Sequence, residues 1–171
     1  MDPDQSAAAA GERFGVSHNT FPVPPGRHEW AYEFELPVSG HLLLAGGHLH
    51  DYGESVRLED VATGKRLLFF ASRRDSNGHL LSMPRKLLAL WDEGLRLKAG
   101  RRYRIVAVYD NPTADTIPGA MGIIGGLFVP DDLRRWPAID VTNADYRLDL
   151  ELLGGAPTLT ARRTAAGAQH E

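Results

Sequence analysis

The sequence predicts an all-β protein, an antiparallel sandwich or barrel, on three observations. Short apolar stretches alternate with polar residues at a period of two, the period of a strand with one buried face. Turn signals separate these stretches at intervals of roughly ten residues. Eighteen glycines and eleven prolines are scattered through 171 residues, which suits many short strands better than a few long helices.

Residues 1–13, with the Ala7 to Ala10 run, read as a poorly ordered N-terminal tail, residues 14–155 as the folded domain, and residues 156–171 as a flexible C-terminal tail. Val23-Pro24-Pro25-Gly26 cannot continue a regular element. It leads into His28 to Leu36, where Trp30, Tyr32, Phe34 and Leu36 alternate with polar partners as in a half-buried strand. Gly40 to His50 is an apolar run whose Gly46 and Gly47 mark a bulge or a close backbone approach. Glu54 to Asp60, the Thr63-Gly64 turn and Arg66 to Ala71 form a hairpin. Leu87 to Leu95 is a strand or a short helix.

Ala99-Gly100-Arg101 is a further turn, and Arg102 to Asp110, with Ile105 and Val106 on its two faces, is a central strand. A turn-rich loop from Asp110-Asn111-Pro112 to Pro118-Gly119 then delivers the chain into an apolar strand from Met121 to Val129. Asp131 is expected to cap one helical turn reaching Trp136. Tyr146 to Leu152, with leucines at every second position, reads as an edge or outer strand. Eight or nine strands result, with no internal repeat.

A formal net charge of −3 and the absence of a continuous basic stripe argue against nucleic-acid binding, because the pairs Arg73-Arg74, Arg101-Arg102, Arg134-Arg135 and Arg162-Arg163 are interspersed with acids. The chain has no cysteine, which removes disulfides, thiolate nucleophiles and cysteine-based metal sites together. No apolar stretch of about 18 residues suggests a membrane span. Met1 to Ser6 lacks the basic and apolar regions of a signal peptide, but a chain trimmed of an export signal reads the same way. There is no G-x-S-x-G nucleophile motif, and Gly122 to Gly126 is too apolar and too far from a lysine for a phosphate loop.

The chemistry-bearing motif is His48-Leu49-His50 with Met121 downstream in Pro118-Gly119-Ala120-Met121-Gly122. On a strand, both imidazoles of such a pair project to one side while Leu49 points to the other, so the pair forms a ready chelate. Imidazole suits zinc, copper, iron or nickel, whereas a thioether selects Cu(I), so Met121 narrows the choice to copper. Zinc would require a carboxylate or a third histidine in place of Met121. Asp51 reads as a turn residue, Tyr52 as a group supporting the histidines from behind, and Asp110 and Asn111 either as orienters of a histidine N–H or as caps of the loop before Met121.

Gly46-Gly47-His48-Leu49-His50-Asp51-Tyr52-Gly53, with Asp110-Asn111-Pro112 and Ala120-Met121-Gly122 downstream, resembles the copper type II, ascorbate-dependent monooxygenases. The likeness is to the second domain of the peptidylglycine α-hydroxylating enzymes and to small single-domain relatives. It runs from Pro24 through Pro130. It implies a jelly-roll-like β-sandwich, a copper ion on His48, His50 and Met121, an extracytoplasmic setting, and a small-molecule substrate or reductant as partner. The family's preceding domain, with its all-histidine copper for electron entry, has no counterpart, and His18, His28, His41 and His79 show no chelating spacing. The expectation is therefore a mononuclear copper-binding module. The alternatives are a single-copper oxidase or monooxygenase fed by an external electron donor, and a structural sandwich with a vestigial site in which Trp30, Trp91 and Trp136 serve packing or a partner.

Overall fold

Alternation between buried and exposed positions organises the chain into strands, and the computed structural model describes them over residues 20–138, 140–144, 146, 147 and 150. The strands are β1 Phe21–Val23, β2 Gly26–Glu35, β3 Gly40–Leu49, β4 Gly53–Asp60, β5 Arg66–Ala71, β6 Arg73–Arg74, β7 Leu80–Ser82, β8 Arg85–Leu87, β9 Leu95–Leu97, β10 Arg102–Asn111, β11 Ile117–Ala120 and β12 Gly122–Pro130. These twelve exceed the eight or nine expected, because β1 and β6 to β9 have only two or three residues each and are too short to show a period.

Two open antiparallel sheets carry the core, one ordered β2-β10-β4-β5 and the other β12-β3-β8, with β9 also pairing to β3. Their facing side chains make a sandwich: Val56, Leu58, Phe70, Tyr103, Ala107 and Tyr109 from the first meet Leu42, Ala45, Leu49 and Leu97 from the second. As its composition indicates, β10 is central, paired on both sides. The hairpin of β4 and β5 turns through Gly64, whose positive φ suits glycine. Among the described residues no helix is long and apolar enough to cross a membrane.

The solvent face of the first sheet explains several basic residues. Arg57 bridges Glu29 and Glu59, and Arg104 reaches Glu59 and Glu33. Arg74, Arg102 and Arg134 likewise meet Glu54, Glu33 and Asp132, so these basic residues sit against acids rather than forming a stripe. Asp60, buried at the end of β4, pairs with Arg101 and accepts the Thr63 N–H at 3.1 Å. The Arg101 guanidinium holds the Asp60 carboxyl below its ordinary 3.8. Stability from a lowered acid pKa is present above the ordinary value and lost as pH falls through the folded one. Asp60→Asn keeps the Thr63 contact but not the charge. It is expected to lower the thermal midpoint at neutral pH, and its gap to the unsubstituted protein is expected to narrow as pH falls from about 5 toward about 3.

One open alternative, at Gly46-Gly47, is decided in favour of a close approach, and three expectations need correction. The bulge in β3 lies at Leu43, where the β12 register slips between Leu44–Leu127 and Leu42–Phe128, and not at Gly46-Gly47. Gly47 instead permits a close approach, since a Cβ there would lie 2.6 Å from Met83 Cε and 2.7 Å from Val56 Cγ1. Leu87 to Leu95 is neither strand nor helix throughout: Leu87 ends β8, Leu95 opens β9 and bends join them. The helical turn is a 3₁₀ turn over Leu133–Arg135 capped by Asp132, because the Asp131 carboxylate is engaged by both guanidinium nitrogens of Arg96.

The last correction lies beyond Pro137, in residues that belong to a second compact unit. Within the stretch read as an edge strand, Tyr146, Arg147 and Leu150 are helical, as is Ala144. Asn143 Oδ1 accepts the Tyr146 N–H at 3.1 Å, and the Asn143 carbonyl accepts the Arg147 N–H at 3.1 Å. This N-cap opens a helical turn, overriding the alternation of leucines. The expected tails, the start at Phe14, and His18 fall outside the described residues.

Candidate metal centre

Strand alternation delivers the histidine pair. Leu49 is 1% exposed in the core, whereas His48 is exposed and His50 half-buried, so the two imidazoles share the outer side of the second sheet. Their ring centroids are 5.2 Å apart and their planes nearly perpendicular, at 88°. Two imidazoles bound to one ion at about 2.0–2.1 Å, with tetrahedral spacing, would have centroids roughly 5.2 Å apart. The separation of the ring centroids matches that spacing.

The ladder between β3 and β12 ends one residue short of His50 and Met121. His48 is opposite Ile123 and Leu49 is opposite Gly122, so the next step sets Met121 opposite His50. Gly122 faces inward, where a Cβ would run into Ala107. Met121, half-buried, stands between Ala120 at the end of β11 and Gly122 at the start of β12. Tyr109, 0% exposed on β10, joins the two residues: its hydroxyl accepts the His50 N–H at 2.9 Å and donates to the Met121 carbonyl. A shallow depression lined by Leu49, His50, Asp51, Leu80 and Ile117 opens beside the pair.

The groups expected to support the site take varied places. Asp51 is a turn residue, as read: the Gly53 N–H reaches back to the His50 carbonyl at 3.1 Å. Its carboxylate accepts the Leu80 N–H at 2.7 Å and contacts His79 Nδ1 at 2.9 Å. The His79 ring and the Leu80 amide hold the Asp51 carboxyl below its ordinary value, and Asp51 in turn raises His79. Tyr52 occupies the third position of that turn with φ of 66°, where glycine or asparagine is usual. Its N–H donates to the Gly78 carbonyl, its carbonyl accepts the Asp110 N–H, and its ring lies against Gly78 with its centroid 6.3 Å from that of His79. Tyr52 and Asp51 thus tie residues 78–80 to the histidine turn.

Asn111, 1% exposed, donates to the carbonyls of Val23 and Asp115, while its Oδ1 accepts from Thr113. It caps the loop before Met121, the second of the two roles considered for it. His28 contacts the Pro25 carbonyl, and His41 lies near Glu93 and Asp131, both away from the pair. Among the described residues no three of His, Cys, Asp and Glu converge to hold an ion, so the oxygen and nitrogen set that zinc favours is not assembled there.

Two participants escaped the sequence reading. Tyr109 was legible only as one more inward position of β10; its signal is a hydroxyl-bearing aromatic at the last inward step before the loop. The contact of Asp51 with His79 bridges two separate turns, and spacing along the chain gives no hint of it. Comparison with protein-family models, with curated proteins and with solved structures finds no match to this chain. Fold and site together define an antiparallel β-sandwich with an outward-facing histidine pair at one strand end.

Proposed function

We propose that this protein binds one copper ion through His48, His50 and Met121. The observation that carries the reading is the shared outer side of the two histidines, 5.2 Å apart, with Met121 next in register across the ladder. Two neutral imidazoles and a thioether form a soft set suited to Cu(I). When bound, the ion would supply a redox-active cation with a coordination position left for a small ligand. The residues of the chain do the rest: Leu49 anchors the pair from the core, and Asp51 and Tyr52 fix the turn that follows. An extracytoplasmic setting belongs to the same proposal and rests on the family resemblance.

Binding, carrying or sensing the ion is favoured over oxidation, because the half-exposed pair stands alone and no second cluster of metal-binding side chains accompanies it among the described residues. The test is anaerobic loading with Cu(I), removal of excess ion, and oxygen uptake with ascorbate. One retained copper per chain, with uptake no faster than the free-ion control, is the expected result. Stoichiometric retention with uptake well above the control would establish the oxidase or monooxygenase alternative. Failure to retain copper would leave only the structural reading.

A further inference from the structure

We propose that Tyr109 is a positioning residue of this site, and that its phenol sets the spacing between His50 and Met121 without touching the ion. The inference rests on the copper reading and extends it to how the ligands are held. In an antiparallel ladder, every second opposed pair of residues exchanges N–H···O=C bonds directly. The last recorded pair of β3 and β12 is Leu49 with Gly122. One step further, the His50 N–H donates to the Tyr109 hydroxyl at 2.9 Å, and that hydroxyl donates to the Met121 carbonyl. A single oxygen thus joins the His50 N–H to the Met121 carbonyl just beyond the last ladder pair.

The bridge has two consequences. Both backbone groups are satisfied although the strands have separated, as buried amides and carbonyls require. The gap between the two residues is then set by a rigid group, since Tyr109 is fully buried on the central strand and its ring packs edge-on to Phe21 at 5.7 Å. Tyr103 supplies a natural control: it lies on the same strand, is 2% exposed, and its hydroxyl accepts the Lys98 N–H at 2.7 Å away from the histidines.

The experiment compares Tyr109→Phe, Tyr103→Phe, Met121→Ala and the double variant Tyr109→Phe/Met121→Ala, reading Cu(I) affinity by chelator competition and sulfur ligation by X-ray absorption. Tyr109→Phe is expected to keep one copper on the histidines, to lose the sulfur signal, and to bind roughly 10- to 100-fold more weakly, the usual effect of removing a group that orients a ligand. The double variant should bind no more weakly than Met121→Ala, and Tyr103→Phe should bind as the unsubstituted protein does. Unchanged affinity and sulfur ligation in Tyr109→Phe would overturn the proposal while leaving the copper site intact. An equal loss in Tyr103→Phe would overturn it as well, by showing a general structural effect. Absence of copper from the unsubstituted protein would overturn the copper reading itself. Amide hydrogen exchange decides the matter even if Tyr109→Phe does not fold: the His50 N–H of the unsubstituted protein should be protected like those within β3, and free exchange there would contradict the bridge.

Discussion

Alanine at position 48 is expected to weaken Cu(I) binding by about three orders of magnitude or more, and alanine at position 121 by about one to two. The difference follows from the chemistry of the ligands. Each imidazole is half of the chelate formed by His48 and His50, so losing one leaves a monodentate histidine. Loss of Met121 leaves the chelate whole and removes only the thioether. Since a thioether selects Cu(I) and adds little for harder ions, Met121→Ala should weaken Cu(I) far more than Cu(II). Competition against a coloured Cu(I) chelator, paired with a Cu(II) titration, measures both. Equal losses for the two oxidation states, or no loss in either variant, would exclude Met121 as a ligand.

Leu49→Ala should cost about 2–5 kcal/mol of unfolding free energy, although it leaves every proposed ligand in place. Leu49 is 1% exposed and belongs to the cluster formed between the two sheets. Its Cβ packs so closely on Gly53 that a side chain there would begin 2.8 Å away. Because the side-chain period of a strand is two, the same residue also fixes which face His48 and His50 occupy. Denaturant unfolding checks the stability, and copper stoichiometry checks that the pair survives. A loss below about 1 kcal/mol, within what an exposed site gives, would mean that Leu49 is not the anchor described here.

These three positions show what a sequence can and cannot disclose. The inward Leu49 and outward histidines were legible because alternation is a local property of the strand, and the same holds for Trp30, Tyr32 and Phe34 on β2. The central place of β10 was legible from its apolar residues on both faces, of which Val106 and Ala107 are both buried. The pairing of β3 with β12 was not, because the register depends on contacts between residues far apart in the chain. That register ends at Leu49 with Gly122 and leaves the His50 N–H and the Met121 carbonyl as partners of Tyr109. Alternation also misled at Leu150, where the Asn143 cap starts a helix instead. Trp91, 92% exposed, and Trp136, 54% exposed against Phe128, could not be ranked from the sequence, since tryptophan is apolar wherever it lies.

The central claim is that one copper ion is held by two histidines and one methionine. X-ray absorption at the copper edge, on protein loaded anaerobically with one equivalent of Cu(I), addresses it directly, with Met121→Ala as the reference for the other methionines. The account expects two imidazoles and one sulfur around the ion in the unsubstituted protein, and imidazoles without sulfur in the variant. Copper that shows no sulfur neighbour in the unsubstituted protein, or a sulfur neighbour that persists in Met121→Ala, would contradict it.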